Sequence, residues 1–124
     1  MSNSRVTGRA AEQFVVDVLK KQGKTILAQN YQQMFGEIDI IASNKTHVLF
    51  VEVKLRSKPL FAMEELITPA KQQKIIKTAH HYLSTNQFFD KICQFDVALV
   101  ELIDDNFKLT YIPNAFMQSD IRGY

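Results

Sequence analysis

Cysteine is nearly absent: Cys93 is the only one in 124 residues. A single thiol excludes an intrachain disulfide framework and a cysteine-rich zinc site. Its place beside Ile92 suits a half-buried, inert thiol. Histidine is sparse too, and His47, His80 and His81 do not have the spacing of zinc ligands. There is no glycine-rich phosphate loop and no serine or cysteine nucleophile constellation. No apolar run is long enough to span a bilayer. The first residues, Met1-Ser2-Asn3-Ser4-Arg5, lack the apolar stretch of a secretory signal. The expectation is a cytoplasmic protein in a reducing compartment, with no membrane partner. Repeats, low-complexity tracts and linkers are also missing, so residues 1–124 are expected to fold as a single domain.

What is present fits a globular fold. Hydrophobic residues make up 46% and charged residues 23%, enough for a packed core and too balanced for disorder. The net charge is +2 and the pI about 8.7, which permits nucleic-acid binding without requiring it.

Ser4 or Thr7 can cap a first helix that runs to about Gln22 and stops at Gly23. Ala11, Phe14, Val15, Val18 and Leu19 form its apolar stripe. Thr25 to Asn30 reads as a short strand, then Gly36 to Ala42 and His47 to Lys54 as central strands, with Ser43-Asn44-Lys45 as the turn between them. Apolar residues occupy both faces of the latter strand, which predicts cover on both sides. Arg56 to Glu65 reads as a loop. Thr68-Pro69 starts a second helix, a capping hydroxyl followed by proline at the first helical position, which runs to about Thr85. Gln94 to Ile103 and Phe107 to Ile112 are the last strands, joined at Asp104-Asp105-Asn106. The expected class is α/β: a mixed central sheet flanked by helices, in the order α-β-β-β-α-β-β.

The chemistry lies in two tetrapeptides, Gly36-Glu37-Ile38-Asp39 and Val51-Glu52-Val53-Lys54. In each, two ionisable side chains are two residues apart and share a strand face. Paired as a hairpin, the two runs bring Asp39, Glu52 and Lys54 to one sheet edge. Carboxylates inside apolar strands are costly unless paired or bound to a cation. Two carboxylates and a lysine are also the groups a metal-dependent phosphodiesterase uses. An exposed Glu-x-Lys ion pair is the plainer alternative. Glu12 flanks the first helix's apolar stripe and can reach such a site, while a surface pair with Arg9 accounts for it equally well. Lys71, Lys74 and Lys77 share the polar face of the second helix. They suit phosphate contact or an ordinary solvated face. Arg56 and Lys58 closely follow Lys54. Asp96, inside Phe95-Asp96-Val97, reads as a structural hydrogen-bonding residue.

In this order these residues resemble the YraN family of small bacterial proteins. That family is itself similar to Holliday-junction resolvases of the PD-(D/E)xK, restriction-endonuclease-like superfamily. The resemblance covers Gly8 to Glu12, Asn30-Tyr31, Gly36 to Asp39, Phe50 to Arg56, Thr68 to Lys71, Phe95-Asp96-Val97 and Asn114-Ala115-Phe116. It departs at Gln32 and Gln33, where relatives often carry basic residues, and at Gln94, where they often carry arginine. The resemblance implies a restriction-endonuclease-like fold and a metal-dependent endonuclease acting on nucleic acid, DNA in the first place and branched forms included. Asp39, Glu52, Lys54 and Glu12 would be catalytic. Asp39, Glu52 and Glu12 would hold Mg²⁺ or Mn²⁺, with Glu37 supporting them from behind. Arg9, Arg56, Lys58, Lys71 and Lys74 are the expected nucleic-acid contacts. A non-catalytic binding module, a protein-interaction domain and a homodimeric state stay open.

Overall fold

The computed structural model describes residues 4–56, 67–86 and 90–117. Within them run α1 (Ser4–Lys21), β1 (Thr25–Gln33), β2 (Gly36–Ser43), β3 (His47–Arg56), α2 (Pro69–Asn86), β4 (Ile92–Ile103) and β5 (Asn106–Phe116). This is the α/β order expected from the sequence. The strands lie side by side in chain order. β3 and β4 are parallel, and every other neighbouring pair is antiparallel. A parallel pair cannot be closed by a tight turn, so the crossover between them carries α2.

Local chemistry sets the element ends. Gly23 takes the left-handed conformation (φ 86°) that stops α1. The Gly23 amide donates to the Lys20 carbonyl and the Lys24 amide to that of Leu19, which satisfies the helix's last carbonyls. Thr68 caps α2, its hydroxyl accepting from the Lys71 amide at 3.3 Å. Asn44 shapes the β2–β3 turn by accepting from the Thr46 and His47 amides. The β4–β5 turn uses Asp104 and Asp105 at φ 49° and 66°, the positive values that a tight hairpin with native twist requires. β1 is longer than expected and runs on to Gln33.

The two sheet faces carry separate cores. α1 buries Ala11, Val15, Val16 and Leu19 against Ile40, Ala42, Leu49, Val51, Ala98 and Val100. On the other face, α2 buries Ile75, Ile76, Ala79 and Tyr82 against Ile38, Ile41, Val48, Phe50, Phe95, Val97 and Leu99. β3 is therefore covered on both sides, which is why it reads as a nearly continuous apolar run. Cys93 is half-buried at the edge of the α2-side core.

Candidate active site

β2 and β3 pair only from Ile40↔Val51 to Ser43↔Val48. Beyond Ile40 the strands part: Gly36 to Ile38 stay with β1, and Val53 to Arg56 stay with β4. Parting leaves the Val53 amide without a ladder partner. The Asp39 carboxylate supplies one, accepting that N–H at 2.8 Å. Asp39 is thereby fixed at the fork, and its carboxyl hydrogen-bonds that of Glu52.

Glu52 is only 5% exposed. Burial, its hydrogen bond to Asp39 and the Asp39 charge push its carboxyl up to about 9, against the opposing pull of Lys71 and Lys54. The Lys71 ammonium lies 3.7 Å from the Glu52 carboxylate. Lys54 is half-buried beside them. Burial first, then the neighbouring Lys71 charge, holds its ammonium below the usual lysine range. Glu12 reaches the group from α1. Burial and the Asp39 charge raise its carboxyl, opposed by a hydrogen bond from Asn30. The result is an all-oxygen donor set with two lysines at its margin.

The other expected residues fall in different places. Glu37 is exposed and accepts a hydrogen bond from Gln32 at 2.9 Å, across the β1–β2 ladder. No hydrogen bond or ion pair joins it to Lys54 among the described residues, and its charge acts on Glu12 instead. Arg9 is exposed and shares a concave surface with Gly8, Glu12, Asn30, Gln32 and Glu37. Arg56 pairs with Glu101 at 3.3 Å, next to it on β4. Its side chain is half-buried, with one guanidinium nitrogen in that pair and Nε buried without a hydrogen-bond partner among the described residues. Lys58 lies outside the described residues. Lys74 is exposed on α2, one turn beyond Lys71. Asp96 is structural, as expected. It is fully buried on the α1 side and accepts from Gln94, the Tyr111 hydroxyl and the Asn114 amide. Burial and Asp96 together hold the Tyr111 phenol well above its ordinary range.

Two participants were not foreseen in these positions. Lys71 was expected on a phosphate-binding surface, yet it sits against Glu52. A signal existed, because a lysine in a helix's first turn opposes the macrodipole, and this first turn has no acidic residue. Asn30 was noted only as part of a motif. It occupies a left-handed conformation (φ 51°) that asparagine tolerates, and its side chain hydrogen-bonds Glu12.

Comparison with known proteins agrees on one family. Residues 11–100 match the model of "Uncharacterised protein family UPF0102". A UPF0102 protein of Nitrosomonas europaea is 40% identical over 120 residues, covering 96% of this chain and all of that protein. One from Francisella tularensis subsp. tularensis is 43% identical over 112 residues, covering 88% and 92%. One from Syntrophus aciditrophicus is 37% identical over 117 residues, covering 94% and 92%. A match over most of the chain, with relatives of similar length covered almost end to end, means that the chain belongs to the UPF0102 (YraN) family.

Proposed function

We propose that this protein is a divalent-metal-dependent endonuclease that hydrolyses phosphodiester bonds in DNA. One observation carries the reading: Glu52 is buried with its carboxyl against that of Asp39, at a fork that also holds Lys54. Two adjacent carboxyls in a low-dielectric setting cannot both ionise cheaply. A divalent cation relieves that conflict.

The donors fit Mg²⁺ or Mn²⁺. Both are hard ions that take oxygen ligands, and Mg²⁺ usually binds one or two carboxylates and keeps several waters. Among the described residues no three Asp, Glu, His or Cys side chains form a ready-made metal cluster. Asp39 and Glu52 would therefore hold the ion, with Glu12 acting at one remove. When bound, the ion would supply a positive charge for the phosphoryl oxygens and a more acidic water. Lys54, two residues from Glu52 on the same face, would neutralise charge developing on the scissile phosphate or orient the attacking water. The Val53 amide fixes the Asp39 carboxylate, so the chain positions this donor before any ligand arrives. Lys71 and Lys74 would meet the flanking phosphates.

The test is cleavage of linear, flapped and four-way DNA with Mg²⁺, with Mn²⁺ and with chelator. Metal-dependent nicking of any of them is expected. If nothing on the panel is cut, the nuclease reading is wrong and a binding module of nuclease fold takes its place.

A further inference from the structure

The β1–β2 hairpin breaks the rule that its sibling obeys. Its two-residue tip, between Gln33 and Gly36, is Met34-Phe35. Such tips normally take glycine, asparagine or aspartate at positive φ, as Asp104-Asp105 do between β4 and β5. Neither Met34 nor Phe35 has positive φ. Met34 is 98% exposed. Phe35 is half-buried against α2, but a large apolar side chain left in solvent at Met34 gains nothing for folding. Departures of this kind concentrate where function demands them.

The tip is also held in place. The Lys77 ammonium lies over the Phe35 ring, 5.1 Å from its centroid, and His81 meets the same ring edge-on. A Cβ at Gly36 would stand 2.8 Å from the Thr78 hydroxyl, so only glycine lets the hairpin sit this close to α2. Lysines then lead from the carboxylates to the tip. Lys71 is at Glu52. Lys71 and Lys74 line one groove with Gly36 and Thr68, and Lys74 and Lys77 line the next with Met34 and Phe35. Neither Lys74 nor Lys77 makes an ion pair among the described residues. From Lys71 to Lys77 the helix rises about 9 Å, the rise of two to three nucleotides.

We infer that the Met34–Phe35 tip is a base-stacking site. It takes an unpaired base of the bound strand two to three nucleotides from the carboxylates, while Lys71 and Lys74 follow the phosphates between and Lys77 anchors the Phe35 ring. The inference rests on the nucleic-acid reading above. A polarisable thioether and a ring anchored by a cation present a flat apolar surface that accepts any base. The arrangement favours strands with an unpaired segment over continuous duplex.

The experiment is binding in chelator, which needs no cleavage. The probes are a short single-stranded DNA and an abasic strand of the same length and charge. The wild type should prefer the base-bearing strand by about tenfold. Met34→Ser, at a fully exposed position, and Phe35→Ala should reduce that preference without changing the salt slope. Lys74→Ala, which leaves the Phe35 ring and its Lys77 anchor in place, should do the reverse: flatten the salt slope by about one contact and keep the preference. Equal binding of both strands by the wild type, or an unchanged preference in Met34→Ser and Phe35→Ala, overturns the stacking site while leaving phosphate binding in place. Binding of neither strand overturns the inference and nucleic-acid recognition together. A preserved preference in a protein that cuts nothing supports the stacking site and sinks only the nuclease reading.

Discussion

Replacing Glu52 with glutamine should make the metal-free protein more stable. The side chain is 5% exposed, and its carboxyl is pushed from an ordinary value of 4.5 up to about 9. A carboxyl raised in the folded state contributes stability that is fully present below its unfolded value and is lost as pH rises through the folded one. The window here is about pH 4.5 to 9. Each pH unit within it costs about 1.4 kcal/mol, so about pH 7.5 the ceiling is about 4 kcal/mol. Local relaxation and water access reduce that to about 1–3 kcal/mol. Glutamine copies the protonated acid, because its amide can donate to Asp39 and carries no charge. For a chain of this length the gain is about 5–10 °C in Tm. The assay is thermal unfolding in chelator at about pH 7.5 and again at about pH 4.5, where the difference should vanish. Saturating Mg²⁺ should then stabilise the wild type, by about 2.7 kcal/mol at a hundredfold excess over Kd, and not the variant. A metal-free variant no more stable than wild type at about pH 7.5 would refute the reasoning. It would mean that Lys71 holds Glu52 as a satisfied ion pair.

Asp39→Asn should keep the fold, since the amide oxygen can still accept from Val53, and lose divalent-ion binding. Calorimetric titration with Mn²⁺ checks this, and unchanged binding removes Asp39 from the site. Lys54→Ala should bind Mn²⁺ nearly as well as wild type, because an ammonium is no metal ligand, and cut at least about 10²-fold more slowly. Equal single-turnover rates at saturating Mn²⁺ would exclude a role for the lysine. Asp96→Ala should lower stability by about 3–5 kcal/mol, because it strands the half-buried Tyr111 hydroxyl and the Asn114 backbone N–H. A small change in the denaturation midpoint would show that water replaces the carboxylate.

The sequence carried the parts of this fold that local chemistry controls. Thr68-Pro69, Gly23 and Asp104-Asp105 mark element ends by backbone rules that hold wherever those residues stand. The central strands were legible because their β-branched runs are covered on both faces. β1 was harder, since Gln29, Gln32 and Gln33 belong to an edge strand whose ladder with β2, not its composition, fixes its length. The carboxylate pair was legible from strand parity alone. What parity does not supply is the fork. That β2 leaves β3 after Ile40, giving the Val53 amide to Asp39, follows from the register of the whole sheet. Lys71 is similar. Its approach to Glu52 depends on where α2 docks, a long-range result of packing Ile75, Ile76 and Ala79 on the sheet. The Arg56–Glu101 pair was not legible for the same reason, because it follows from the parallel register of β3 and β4.

Asp96 and Glu52 make the sharpest internal comparison. Both are acidic residues in adjacent central strands, and both are buried. Asp96 is surrounded by donors that belong to the fold: an amide side chain, a phenol and a backbone N–H at the β5 irregularity. Those donors occupy its oxygens, so it explains itself as structure. Glu52 instead faces a second carboxyl, with a lysine whose own ammonium is destabilised by burial and by another lysine. Nothing in folding favours that arrangement, since an apolar residue at position 52 would pack the end of the strand without conflict. The conflict is also localised. The fork and the first-turn lysine lie where β2, β3 and the start of α2 meet, and the β2–β3 turn at the opposite end follows ordinary rules. A carboxyl conflict confined to one end of an otherwise consistent sheet marks that end as the candidate site.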